Sequence, residues 1–402
     1  MAASVAHPET FPPFAVACGE EGSDPLVLHG GREVRVDEFA ASGHYDRVEN
    51  DLADVASLGI SVWRYGMPWR LTEPEPGVYD WALWDRAFTA CAQHDLTPVV
   101  DLCHFGLPDH YAGFCDPAWV EGFCRYVDAF LDRYPGPRWF TPINEPGITA
   151  QFSARFGMWN DRRTGDDDYF VALGNITLAN LEALARVRGD RDGWWIGSEG
   201  FGCHIADADD EEGLAQATRE RELEQAVWDL HLGVEPAGAA SRLFDVVDDS
   251  VLSRIEGLAR SVPTDRTVAG HDIYPISVAP HGTRAARPVS IAERVAAYDE
   301  EARRWHDRYQ RAFWVSETSN LGLAVDEGPE WLDALVTTLD RLTADGLPAR
   351  GICWYSRGDQ YDWDTALLTP IGTVTEVGLF DEARRPRPVA EVYSKLAEQR
   401  AE

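Results

Sequence analysis

Short apolar runs alternate with longer amphipathic stretches along almost the whole chain. Eight runs, at 14–18, 61–65, 97–103, 139–144, 194–198, 267–273, 312–316 and 351–354, are apolar at successive positions and often β-branched or aromatic, as strands buried on both faces are. After each comes a stretch suited to an amphipathic helix, at 46–58, 81–94, 117–134, 167–188, 211–232, 291–309, 329–345 and 389–399. Asp80 and Asp116 stand where helix N-caps are expected, and Pro117 suits a first helical position. Connections of this length are crossovers, so the strands pair in parallel. The pattern predicts an α/β fold, a single (β/α)8 TIM barrel over residues 1–402 with no separate domain. An open doubly wound sheet is the alternative. It is weakened by the first turn, Ala17-Cys18-Gly19-Glu20-Glu21-Gly22, which is not a dinucleotide-binding GxGxxG.

Composition changes this picture mainly by exclusion. With 402 residues, 45% of them hydrophobic, and 15 Trp, a large core is available and disorder is ruled out as the main state. Acidic residues outnumber basic ones 68 to 36, for a net charge of −32. Such a surface repels nucleic acid and anionic membrane, so neither is expected as a partner. A single Lys, Lys395, among 36 basic residues reflects a GC-rich coding sequence or high-salt adaptation, neither of which bears on function. No apolar stretch free of charge reaches the roughly 18 residues of a membrane helix. Residues 1–13 lack the basic and apolar segments of a secretory signal. The seven Cys are dispersed without CxxC pairs, so reduced thiols in a cytoplasmic protein are expected. The acidic segment 206–214 reads as a solvated loop entering a helix, since its acids lack calcium-loop spacing. Nothing in the pattern fixes an oligomeric state.

In a parallel barrel, chemistry sits at the C-terminal strand ends. Nearly all of those ends carry polar or aromatic groups here. Two matter most: Glu145 closes the fourth run and Glu317 the seventh, three places apart around an eight-membered ring. Both can therefore face one central cleft. Paired carboxylates are the minimal apparatus of glycoside hydrolysis, one held protonated as the acid and the other ionised to attack or to activate water.

Around these residues the sequence resembles family 1 glycoside hydrolases, the β-glucosidase group of clan A. Pro142-Ile143-Asn144-Glu145-Pro146 is similar to the family's Asn-Glu-Pro acid/base motif, and Ser316-Glu317-Thr318 occupies the place of its Thr-Glu-Asn nucleophile motif. Trp63-Arg64-Tyr65, His104-Phe105-Gly106-Leu107-Pro108, Asp272-Ile273-Tyr274 (the family's Asn-x-Tyr), Asp359-Gln360-Tyr361-Asp362-Trp363 and Gly378-Leu379-Phe380-Asp381 resemble further family motifs, in order from about residue 14 onward. There are departures. Gly19-Glu20-Glu21-Gly22 replaces Gln-Ile-Glu-Gly, losing an amide and placing Glu21 in the sugar-contacting stretch. Asp362 replaces a Glu. Glu199 and Arg357 have no counterpart in the motifs. The branch is divergent, and the sugar preference of ordinary β-glucosidases does not carry over.

The resemblance implies a retaining β-glycosidase acting by double displacement on a carbohydrate or glycoside, with Glu145 as acid/base and Glu317 as nucleophile. It further implies that Asn144 meets the sugar 2-hydroxyl, that Arg64 and Tyr274 hold Glu317 ionised, that His104 binds a sugar hydroxyl and that Trp354 lies under the ring. Glu21, Glu199, Arg357, Asp362 and Trp363 are further substrate-site candidates. No metal and no organic cofactor are expected: the chain has no HExxH or CxxC, and acetal cleavage by two carboxyl groups needs neither. A non-hydrolytic sugar-binding barrel and a transglycosylase are the competing readings.

Overall fold

The computed structural model describes residues 7–401; residues 1–6 of the stretch inspected for a secretory signal lie outside it. The eight apolar runs become strands β1 (Ala15–Gly19), β2 (Val62–Gly66), β3 (Thr97–Asp101), β4 (Trp139–Thr141), β5 (Trp194–Ile196), β6 (Thr267–Asp272), β7 (Ala312–Thr318) and β8 (Ala349–Trp354). They close into one parallel barrel in chain order, and β8 pairs back onto β1 from Ala15↔Gly351 to Cys18↔Trp354. Closure excludes the open-sheet alternative.

The amphipathic stretches form the outer ring: α1 (His44–Ser57), α2 (Ala82–Gln93), α3 (Ala118–Arg133), α4 (Asp166–Arg191), α5 (Glu211–Leu232), α6 (Ile291–Tyr309), α7 (Gly328–Ala344) and α8 (Pro388–Ala401). Asp80 and Asp116 accept from the N–H groups of Ala82 and Ala118 at 2.9 and 3.0 Å, at the starts of α2 and α3. The 206–214 segment is more than a solvated loop. Asp210 caps α5 through Gly213 N–H at 3.0 Å and also accepts from Thr283 N–H at 2.7 Å, tying two loops together. Beyond the ring, the pattern does not anticipate the helix Asp249–Ala259, which packs against α4 and α5, or the short helices Glu38–Ser42, Trp69–Thr72, Pro146–Ala150 and Leu243–Val246. An 18-residue window of α4 is apolar enough to cross a membrane, but 83% of it is buried inside the fold, as a core helix.

The period of two along each strand sorts the barrel into layers. Inward positions near the N-terminal ends are apolar: Ala15, Ala17, Val62, Val99, Trp139, Val268 and Trp314 form one cluster. One or two inward steps further, the same faces carry Arg64, Asp101, Ser198, Asp272 and Ser316, all buried. The barrel therefore has an apolar plug below and a polar layer above it. Alternate positions, such as Trp63, Val100, Phe140, Val315 and Trp354, face the helices and join the main core.

At Gly270, in β6, the neighbouring backbones come too close for a side chain. A Cβ would lie 2.1 Å from Gly197 O and 2.3 Å from Ser316 Oγ. Gly257, by contrast, lies in the Asp249–Ala259 helix with open space at its Cβ position. Gly270→Ala should lower Tm by about 5 °C or more, or prevent folding, whereas Gly257→Ala should hold or raise stability by about 0.5–1 kcal/mol. Thermal unfolding of the two variants checks this.

Candidate active site

The polar layer is organised by Arg64. Its Nη1 donates to Glu317 Oε1 at 2.5 Å, and its Nη2 donates to Asp101 Oδ2 at 3.0 Å and to Asn144 Oδ1. Asp101 Oδ2 also lies 2.8 Å from His104 Nδ1, and His104 Nε2 lies 3.2 Å from Asn144 Nδ2. Tyr274 donates its hydroxyl to Glu317 Oε2 at 2.7 Å. Both oxygens of Glu317 are thus held, one by a guanidinium and the other by a phenol.

Glu145 reaches the same space differently. It follows β4 in a left-handed conformation, φ 38° and ψ 66°, directly before Pro146. Backbone in that region costs about 1–3 kcal/mol for a residue other than Gly and persists where surroundings enforce it. Here its N–H donates to Ser198 O at 3.2 Å, and Glu199 accepts from Gly147 N–H at 2.8 Å and from Gly200 N–H at 3.1 Å.

One carboxylate oxygen each from Glu145, Asp272 and Glu317 lie within 4.8 Å of one another. All three residues line a cavity of about 290 Å³ at the C-terminal mouth of the barrel. Its lining combines the polar groups of Glu21, His104 and Gln360 and the indole of Trp363 with apolar side chains of Ile148, Phe152, Phe201, Ile276 and Leu321.

Electrostatics separate the two glutamates. Burial, then Asp272, Glu317 and Glu199, push Glu145 well above the usual carboxylate range. Glu317 is pushed up to about 7 by burial and Asp272, against the lowering effects of Arg64, His104 and Tyr274. Arg64 and Tyr274 make the contacts expected of them, but they do not return Glu317 to an ordinary acid. His104 is lifted above its usual value: burial opposes its charge, but Asp101 and Glu21 outweigh that.

Several sequence-derived candidates lie away from the cavity. Trp354 does not lie under a sugar ring. It is fully buried on the outer face of β8, donating to Val377 O at 2.9 Å, because strand alternation turns Cys353 inward and Trp354 outward. Its neighbour Tyr355 turns inward instead. That ring lies parallel to His104 with centroids 6.0 Å apart, and the Arg64 guanidinium is 5.4 Å from its centroid. Arg357 points away from the cavity into a buried ion-pair group, with Glu20 at 2.8 Å and Asp51 at 3.3 Å. Asp362 takes the N–H groups of Gly372 and Thr373 at 2.9 and 2.7 Å, which folds its own loop. Glu199 is the backbone brace described above. Arg64 and Asn144 stand behind the glutamates, whereas Glu21, His104, Tyr274 and Trp363 line the cavity. Sequence reasoning gave no role to Asp272, although it ends a strand inside a quoted motif. It also missed Phe201, His204, Glu224, Ile276 and Gln360, which come from loops, helices and short strands outside the barrel.

The sequence pattern of glycosyl hydrolase family 1 matches residues 32–220. Among curated relatives, a 6-phospho-beta-galactosidase of Lacticaseibacillus rhamnosus is 31% identical over 155 residues, which is 36% of this chain and 32% of that protein. A probable inactive beta-glucosidase 14 of rice (Oryza sativa subsp. japonica) is 24% identical over 151 residues, 34% of this chain and 29% of that protein. The chain thus spans about a third of the length of these relatives. Solved structures match over nearly the full length. A beta-glucosidase from Thermotoga maritima in complex with glucoimidazole gives a TM-score of 0.78 at 14% identity, covering 98% of this chain and 99% of that one. A beta-glucosidase from Exiguobacterium marinum gives 0.79 at 14% identity, covering 96% and 98%. The family pattern thus covers rather less than half of the chain, and the full-length structural matches show that its closed barrel is the fold of these beta-glucosidases.

The raised acids have a cost to stability with a definite sign. In the unfolded chain Glu317 titrates near its usual 4.5, and in the folded protein near 7. Folding therefore favours the protonated form, and the stability it contributes is complete below about 4.5 and lost as pH rises through about 7. Glu317→Gln should flatten this part of the curve and raise Tm at pH 8 by about 1–3 °C. Calorimetry of both proteins from pH 4 to 9 measures it.

Proposed function

We propose that this protein is a retaining β-glycosidase acting on a carbohydrate or glycoside. The observation that carries the reading is the pair of buried glutamates with carboxylate oxygens within 4.8 Å in one cavity. Retaining enzymes hold their carboxyl groups about 5–5.5 Å apart, and inverting ones roughly 6.5–9.5 Å. A gap this short suits direct attack by a glutamate rather than attack by an interposed water.

In this reading Glu317, with one oxygen on Arg64 and the other on Tyr274, attacks the anomeric carbon. The bond to the leaving oxygen breaks, and that oxygen takes the proton of Glu145. Water then gives a proton to the Glu145 carboxylate, its oxygen bonds to the anomeric carbon, and the ester to Glu317 breaks. Asn144, whose Oδ1 accepts from Arg64, is left with Nδ2 as its donor for the sugar 2-hydroxyl. Glu21, His104, Gln360 and Trp363 would meet the other hydroxyls. The apolar part of the lining suits an aryl or alkyl leaving group. It also favours an organic alcohol over water as acceptor, which supports transglycosylation as a side reaction. A cytoplasmic location belongs to the proposal and is supported by seven free, buried cysteines.

Aryl β-glycosides of several sugars should be hydrolysed with the β-anomer released first by NMR, and Glu317→Ala should abolish turnover for all of them. Glu145→Ala should lose about 10²–10⁴-fold with poor leaving groups and much less with good ones. Azide should rescue it and give a β-glycosyl azide. An α-azide would mean that the two glutamates exchange roles. Equal loss in both variants without rescue would favour the sugar-binding barrel.

A further inference from the structure

Asp272 is buried in the middle of the site, yet the two-carboxylate scheme gives it nothing to do. It ends β6, in register with Glu317 on β7. Ser316 Oγ donates to its Oδ1 at 2.5 Å, and Ser198 Oγ lies 2.5 Å from its Oδ2. Both oxygens are fixed, and the carboxylate faces the cavity beside Glu145. The motif that matches this segment carries Asn at this place, a neutral amide. Here it is a third acid.

Charge counting makes the acid consequential. Glu145, Asp272 and Glu317 meet one contacting guanidinium, Arg64, which is shared with Asp101. The other groups facing the cluster add little positive charge. Ser198 and Ser316 are neutral hydroxyls, Tyr274 is a phenol, Glu199 and Glu21 are acidic, and the charge that a lifted His104 carries is countered by Asp101 and Glu21. Buried carboxylates in such surplus cannot all be ionised, and the cluster must keep at least one proton.

We propose that Asp272 is a positioning residue that shares this proton with Glu145, the Glu145 carboxyl O–H donating to the Asp272 carboxylate until the leaving group takes the proton. The inference rests on the glycosidase reading for its kinetic consequence, but not for the shared proton itself. After the proton departs, the extra negative charge makes Glu145 a stronger base toward the incoming water. An Asn at 272 cannot do this, because an amide adds no charge to hold the proton. Burial raises both acids; Asp272, Glu317 and Glu199 raise Glu145 further, whereas Arg64 and the two serine hydroxyls pull Asp272 back down, which leaves the proton on the Glu145 side.

Two variants of the full-length protein test the proposal with opposite signs. Asp272→Asn should move the alkaline limb of kcat/KM on an aryl β-glycoside acidward by one pH unit or more, so that activity lost at pH 8 exceeds that lost at pH 5 by at least tenfold. Ser316→Ala removes a hydroxyl from Asp272 and strengthens its hold on the proton, so the limb should move alkaline; this variant also serves if Asp272→Asn fails to fold. Asp272→Glu should return the limb toward its original position. An unmoved limb in both variants, or a loss uniform across pH, would overturn the proposal, since a purely structural residue gives that result. Infrared spectroscopy separates this from the fate of the glycosidase reading. At pH 8 the difference spectrum between the wild type and Glu145→Gln should show one protonated-carboxyl band, and that band should be weakened in Asp272→Asn, even if no glycoside is hydrolysed. Magnesium or calcium shifting the wild-type limb, with the shift abolished by EDTA, would mean that a cation and not a proton balances the cluster, and would also overturn it.

Discussion

One guanidinium holds the polar half of this barrel together. Arg64 is almost completely buried and reaches acids or amides anchored by β3, β4 and β7 at once. A lysine could not reproduce this, because its three donors have no fixed fork with which to span separate partners. The contacts of Arg64 bring Glu317, Asp101 and Asn144 to fixed positions before any ligand arrives. Around that cation the barrel collects more negative charge than it neutralises. The site is therefore pre-organised and electrostatically tense together, a state that apolar packing elsewhere must hold in place. The plug of Trp139, Val268 and Trp314 beneath it, and the helix-facing core of Trp63, Val100 and Trp354, do so.

The two glutamates are made different by their surroundings and not by their own chemistry. Glu317 sits between a cation and a phenol, where β7 shifts register against both of its neighbours. Glu145 sits on a strained turn among other acids. The brace from Glu199 to Gly147 and Gly200 explains how the strain survives: the turn after β4 is bonded to the loop after β5, so neither can relax alone.

Much of this was legible in the sequence because strands buried on both faces read as unbroken apolar runs. All eight strands and their eight ring helices lie where the pattern places them, within a few residues at the ends. The strand-end rule also located Glu145, Glu317, Arg64 and His104. It failed where a one-residue offset matters. Trp354 and Tyr355 are both aromatic and adjacent, and only the observed register shows which faces inward. It failed again for charged residues whose partners are remote. Arg357 finds Glu20 some 337 positions away, and nothing local announces that pairing. Asp362 resembles a substrate ligand in its motif, but its shorter side chain closes on the backbone of residues 372 and 373. The apolar part of the cavity lining comes from loops and crossover helices, where composition carries no periodic signal. The helix at Asp249–Ala259 follows α5 with no strand between them, so the alternation gave it no place.

The closure of the ring through β1 and β8 constrains how the protein is made. β1 is the first barrel strand to be synthesised and β8 the last, separated by more than 300 residues, yet each completes the other's hydrogen bonding. While the chain emerges from a ribosome, β1 and then β7 hold unpaired edges with nothing to cover them, the arrangement most prone to join another chain. Both edges are satisfied only when 349–354 arrives, carrying Gly351, where a Cβ would strike the Ala15 carbonyl at 2.2 Å. Assembly of the ring is therefore a late, all-or-none event with high contact order. Nascent-chain survival, as much as catalysis, depends on how quickly that last strand finds the first.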